Sequence, residues 1–198
     1  FTRIARQLSL TAVAAGALAA VALPQAAQAV LAVGQTAPAF ELPDLDGKTV
    51  SLAGFRGKTV VLEWINPNCP VSRDYAERKV MSTTAAAHPA VVWLAINSTN
   101  RTHGDFVAPA AHKAYNQKNG IAYPVLYDSS GDTGRAYDAK TTPHMFVIDA
   151  AGKVVYNGAI DSRSNPNTNY VDTALAALAA GKSPDPSTTK PVGCSVKY

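Results

Sequence analysis

The segment Val60-Val61-Leu62-Glu63-Trp64-Ile65-Asn66-Pro67-Asn68-Cys69-Pro70-Val71-Ser72-Arg73 constrains the fold of this chain more than any other. Its apolar, β-branched first half reads as a buried strand of the kind found in parallel sheets covered on both faces. The polar turn that follows ends in a cysteine directly before a proline. Proline is favoured at the first position of a helix, where its missing N–H would have no partner anyway. Cys69 therefore stands at a predicted helix N-terminus, where free amide N–H groups and the macrodipole favour negative charge. The thiolate is the reactive form of cysteine, so the placement points to a reactive sulfur. The alternative is a buried, inert thiol, since free cysteine is among the most buried residue types.

Around this junction the hydrophobic pattern alternates between strand and helix. Short or buried strands are predicted over 49–52, 59–65, 91–96 and 125–127. Helices are predicted from Pro70 to about His88, where Pro89 ends the run, and over 110–119, closed by Gly120. Residues 128–134 read as a turn-rich loop. Residues 145–149 and 153–160 flank Ala150-Ala151-Gly152, a hairpin signal with glycine in the turn. An alanine- and leucine-rich helix over 170–180 is capped by Gly181. Strands alternating with helices and then closing in a hairpin imply an α/β fold, a central mixed sheet with helices on both faces.

The first 29 residues read as a signal peptide. Arg3 and Arg6 form a basic region, residues 8–23 are apolar and uncharged, and Ala27-Gln28-Ala29 is a small-x-small cleavage pattern, with cleavage expected after Ala29. The alternative is an uncleaved membrane anchor, but the apolar run is short for a span. A periplasmic or secreted protein with no stable membrane association after cleavage is the expectation. The remaining chain, about 170 residues, fits one domain with a real core. The formal net charge of +4 includes Arg3 and Arg6, so half of it leaves with the peptide. No lysine or arginine cluster argues for nucleic acid. Cys69 and Cys194 enter a compartment where disulfides form, as a structural bridge, a redox couple or two independent thiols.

The element order, with a cysteine at a strand-to-helix junction, resembles the thioredoxin fold from Gly34 to Ala180. Gly34-Gln35-Thr36-Ala37-Pro38-Ala39-Phe40, Asp46-Gly47-Lys48 and Phe55-Arg56-Gly57-Lys58 resemble the entry of the redoxin and alkyl hydroperoxide reductase (AhpC/TSA)-like group. Thr142-Pro143 before Met145-Phe146-Val147-Ile148-Asp149 resembles the cis-proline segment that faces the active cysteine, and 152–158 resembles the hairpin after it. The likeness within the group is to peroxiredoxin-like exported proteins. It implies a domain over 30–181 and a tail over 182–198 that carries Cys194. The sequence also departs from its relatives. Ser72 replaces the second cysteine of Cys-x-x-Cys, and Asn66 and Leu62 stand where peroxiredoxins carry threonine and proline.

The resemblance implies a thiol-dependent oxidoreductase in which Cys69 attacks a peroxide, with disulfide exchange on proteins and a non-catalytic module as alternatives. Its partners would be a peroxide or disulfide substrate and a reducing thiol protein. Arg73, one turn after Cys69, would support the thiolate or hold an oxyanion, or would be a solvated helix residue. Glu63 sits six residues before the nucleophile, the offset of a buried acid in thioredoxins. Burial would raise its pKa and suit it to proton transfer; alternatively it points outward or pairs with Lys58 or Arg135. Thr142 would present backbone groups to the sulfur beside a cis Pro143. His144 would serve as acid, base or ligand, or be structural. Cys194 would resolve a sulfenic acid on Cys69 from an adaptable tail, or pin that tail permanently. No cofactor is implied. His88, His103, His112 and His144 lack metal-site spacing, and position 73 of a copper-type Cys-x₃-Cys is arginine, so no metal is expected.

Overall fold

The computed structural model describes residues 31–198; the expected signal peptide lies outside the described residues. The elements run β1 (Glu41–Pro43), β2 (Thr49–Ser51), β3 (Val60–Trp64), α1 (Pro70–Glu77), α2 (Val80–Ala87), β4 (Val92–Asn97), α3 (Pro109–Asn119) and β5 (Val125–Tyr127). They continue with α4 (Asp132–Ala136), β6 (Thr141–Thr142), β7 (His144–Ile148), β8 (Val154–Gly158), β9 (Asp161–Ser162), β10 (Asn165–Asn169), α5 (Tyr170–Ala179) and β11 (Cys194–Ser195).

Five strands form the central sheet in the order β5-β4-β3-β7-β8. β3, β4 and β5 run parallel, while β7 and β8 join antiparallel. Side chains alternate across β3, as the strand period requires. Val60, Leu62 and Trp64 enter a core with Leu94, Ile96, Phe146, Tyr137 of the α4 end, and Leu31, Phe40 and Leu42 of the lead-in. Val61 enters the opposite core with Met145, Val147, Tyr75 of α1, Met81 of α2, and Val171 and Leu175 of α5. Ile65, Ala95 and Val125 complete that face beneath Tyr115 of α3. β3 is buried on both faces, so it reads as a continuous apolar run.

The predicted helix over 70–88 is two helices. Lys79 adopts a left-handed conformation, φ 57°, and donates its N–H to the Ala76 carbonyl at 2.9 Å, which closes α1 and redirects the chain into α2. The break lets both Tyr75 and Met81 reach the same core, which one straight amphipathic helix of this sequence does not achieve. The loop expected over 128–134 contains the start of α4, whose N-terminus is set by Gly131 at φ 75°.

Candidate redox site

The site lies at the carboxyl end of β3, where the chain leaves the sheet. Asn66, 4% exposed, folds the turn. Its Oδ1 accepts from the Asn68 N–H at 2.8 Å, and its Nδ2 donates to Thr99 Oγ1 at 3.0 Å. The first contact is an Asx turn and the second fastens it to the segment just after β4. Cys69 then donates its N–H to the Asn66 carbonyl and takes the N-cap position of α1, with Pro70 first in the helix as predicted. Asn66 thus holds the backbone of Cys69 at the helix start.

Cys69 is bonded to Cys194, with the two Cα atoms 5.9 Å apart. The expectation of an adaptable tail does not match the packing around Cys194. β11 pairs antiparallel with β6, Cys194 opposite Thr142 and Ser195 opposite Thr141. Upstream, Asn157 of β8 donates its N–H to Ser187 and accepts from the Thr189 N–H, both at 3.1 Å. Downstream, Val196 donates to Lys140, and Lys197 accepts from Asn100 at 2.7 Å. Backbone pairing on both sides of the cysteine overrides the flexibility that a Pro- and Ser-rich composition suggests.

The peptide between Thr142 and Pro143 is cis. Cys69 Sγ lies 3.1 Å from the Thr142 carbonyl oxygen. An oxidised sulfur has no proton to donate, so this contact becomes a hydrogen bond only when Cys69 is a thiol. Reduction therefore sets two effects against each other: the helix start favours thiolate, and the facing carbonyl favours thiol. The Thr142 hydroxyl and that of Ser72 are buried without a hydrogen-bond partner among the described residues.

Glu63 is 4% exposed and faces the α1–α3 side of the sheet. It pairs with neither Lys58 nor Arg135. Trp93 Nε1 donates to its Oε2 at 3.2 Å and the Tyr123 hydroxyl at 2.7 Å. Burial raises the carboxyl to about 7, against these two bonds, which lower it. Arg73 itself is exposed and makes no ion pair among the described residues; its N–H closes the first helical turn on the Cys69 carbonyl.

His144 is structural in its contacts. Lys140 donates its N–H to Nδ1 at 3.1 Å, which leaves the proton on Nε2, donated to Asn157 Oδ1 at 2.7 Å. Burial holds the imidazole down at about 4, partly offset by the Asn157 bond. Both ring nitrogens are engaged in hydrogen bonds, an arrangement that fits the structural alternative for this residue.

Sequence reasoning missed a buried chain of polar groups beside the site. Trp64 Nε1 donates to Ser98 Oγ at 3.0 Å, and Ser98 Oγ donates to Asp128 Oδ2 at 2.7 Å, which also accepts the Gly134 N–H. An aspartate directly after a buried strand was the available signal.

This geometry has known relatives. The model of the AhpC/TSA family matches residues 33–157, more than half of the chain. The chain belongs to the AhpC/TSA family. A thiol-disulfide oxidoreductase ResA from Bacillus thuringiensis subsp. konkukian is 29% identical over 127 residues, 62% of this chain and 67% of that protein. A provisionally named peroxiredoxin from Mycobacterium tuberculosis is 28% identical over 142 residues, 63% of this chain and 83% of that protein. The crystal structure of an uncharacterised conserved protein from Geobacillus kaustophilus superposes with a TM-score of 0.74 at 30% identity, covering 85% of this chain and 93% of that one. The thioredoxin-like fold is thereby established, and the chain is an oxidoreductase of the redoxin group. Cys194 lies outside the family-matched segment, so the partner sulfur comes from a part of the chain the family model does not describe.

Proposed function

We propose that this protein is an exported thiol–disulfide oxidoreductase whose working couple is Cys69 and Cys194. The observation that carries the reading is the pairing itself: a cysteine at a helix start, bonded to a second cysteine, with the Thr142 carbonyl against the first sulfur. The relative named as a thiol-disulfide oxidoreductase supports the same chemistry. In the reducing direction a thiolate on Cys69 attacks a substrate disulfide. The mixed disulfide is then attacked by Cys194, which restores the Cys69–Cys194 bond and leaves two substrate thiols. A partner dithiol returns the two electrons.

Glu63, with its carboxyl near 7, holds or releases a proton in the pH range where the thiols exchange. Arg73 adds positive charge one turn from the sulfur, and the Thr142 carbonyl accepts a hydrogen bond from Cys69 when it is a thiol. Export is supported by the basic and apolar residues at the start of the sequence and by a bond of the kind that persists in oxidising compartments. Among the described residues no helix is long and apolar enough to cross a membrane.

A second reading is peroxide reduction, with Cys194 resolving a sulfenic acid on Cys69. Cys69-Pro70 and the mycobacterial relative favour it. Asn66 in place of the peroxiredoxin threonine disfavours it, because its side chain is spent on the turn. Incubating the reduced protein with hydrogen peroxide or with a protein disulfide separates the readings. Disulfide reduction outpacing peroxide consumption is the expected result, and the reverse order would install the second reading.

A further inference from the structure

The segment that brings Cys194 to the site is held in the way a bound peptide is held. It adds to the edge Thr141–Thr142 as an antiparallel strand, with its cysteine bonded to Cys69. Just before the cysteine, Gly193 passes so close to Thr142 that a Cβ at 193 would drive into the Thr142 carbonyl group. Just after it, Tyr198 is seated on Gly131 and Gly134, where any Cβ would meet its ring. The Arg135 guanidinium lies 4.8 Å from the ring centroid, and the Tyr198 hydroxyl donates to the Ala139 carbonyl at 2.7 Å. Apart from the Cys69–Cys194 bond, none of these contacts involves a sulfur. With the tail in place Cys69 is 3% exposed, and the edge has no room for a second strand.

We infer that the tail is a tethered occupant of the substrate groove, and that the groove's guest is an extended segment of a partner protein whose cysteine is preceded by glycine. This rests on the thiol–disulfide reading and names its substrate class and its regulation. Main-chain groups of the edge pair with any strand, so they set affinity, while the close pass at Thr142 sets which residue precedes the cysteine. Tail and guest exclude one another, so the rate with a guest scales with the fraction of molecules whose tail is lifted. Reduction of the Cys69–Cys194 bond removes the covalent tether and leaves the Tyr198 seat as the latch. Opening then becomes a local equilibrium.

The test uses the full chain carrying Cys194→Ser, reduced, so that Cys69 is the reacting sulfur. The probes are two extended peptides, identical except for glycine or valine before the cysteine, each as a mixed disulfide with nitrothiobenzoate. The Cys69 thiolate attacks the peptide sulfur, a Cys69–peptide disulfide forms, and nitrothiobenzoate leaves as a coloured thiolate; no other oxidant or reductant takes part. The glycine peptide is expected to react about tenfold faster than the valine peptide, and adding Tyr198→Ala or Gly193→Val to speed it by about tenfold more. Circular dichroism checks that each variant is folded, and two independent tail variants guard against one that is not. Equal rates for the two peptides, or no acceleration by either folded tail variant, overturn the inference while the small symmetric disulfide of nitrothiobenzoate still modifies Cys69. If that small reagent also fails to react, even with the tail variants, the thiol–disulfide reading falls instead.

Discussion

Thr142 and Cys194 stand opposite one another in an antiparallel strand pair, and the Thr142 carbonyl oxygen lies 3.1 Å from Cys69 Sγ. One residue's backbone therefore touches both halves of the disulfide. The two sulfurs are 125 residues apart in sequence, yet each is placed by elements rather than by the bond between them. Cys69 is fixed by the Asn66 turn and α1; Cys194 is fixed by β11 and the seat of Tyr198. A bond between two independently positioned sulfurs can open without the domain coming apart, which a redox couple requires and a structural staple does not.

The first prediction concerns that bond. Closing a span of this length removes loop-closure entropy from the unfolded chain, so the oxidised protein should exceed the reduced one in stability by about 2–5 kcal/mol. Urea midpoints measured with and without dithiothreitol give the difference. The reduced form should still unfold in one cooperative transition, because both cores lie around the central sheet and neither includes a cysteine. Loss of cooperativity on reduction would mark the bond as a staple.

Glu63 gives a pH prediction. Its carboxyl is raised by burial to about 7, above the usual carboxylate range. A raised acid binds its proton more tightly in the folded state, so its contribution is fully present below the unfolded pKa and is lost as pH rises through about 7. Stability should fall by about 3 kcal/mol between about pH 5 and about pH 8, of which Glu63→Gln should abolish most. Glutamine keeps an acceptor for Trp93 and Tyr123, so the variant should fold. The same variant should flatten the pH profile of disulfide reduction near neutrality if Glu63 moves protons for the thiols, and leave it unchanged if the acid is merely buried.

Much of this site was legible before the structure, for a physical reason: its first half is local. Proline after Cys69 and asparagine three residues before it fix a turn and a helix start within one short stretch of chain. The α/β order was legible because buried strands and capped helices carry their own periodicity. What escaped depends on distant groups. Nothing in Arg78-Lys79-Val80 marks a left-handed break, since Lys79 is held there by where Tyr75 and Met81 pack. The partners of Glu63 are a tryptophan and a tyrosine from β4 and the loop before β5, invisible to a search for opposite charges. The tail's composition suggested mobility because its partners, Lys140, Asn157 and Gly134, belong to other elements.

Asn66 tests the local half. Asn66→Ala deletes the Asx contact and leaves the Thr99 hydroxyl without its donor, in a buried turn. A loss of about 1–3 kcal/mol is expected from such unmet hydrogen bonds. The turn also sets the N-cap geometry of Cys69, so the reduced variant should titrate its thiol at higher pH than the wild type, followed by alkylation rate against pH. Asn66→Asp retains the acceptor for the Asn68 N–H and should recover most of the stability, but its negative charge should raise the thiol's titration further. A variant series in which stability changes and alkylation does not would limit Asn66 to a structural role.

Gly134 tests the distant half. It lies inside α4 with an unstrained backbone, so no turn geometry explains glycine there. A Cβ at this position would meet the Tyr198 ring and, at 2.8 Å, Ser98 Oγ. The ring belongs to the tail, which can move, whereas Ser98 is locked between Trp64 and Asp128. Gly134→Ala should therefore expel Tyr198 rather than distort the sheet. Alanine favours the helix by about 1 kcal/mol over glycine, while a small-to-large change against packed atoms costs about 1–3 kcal/mol. The net effect on the whole domain should be small and the effect on the tail large. Amide hydrogen exchange would show this as faster exchange confined to Val196 and its neighbours, with the central strands β3, β4 and β7 unchanged. Uniform loss of protection across the sheet would mean that Ser98, not Tyr198, gives way.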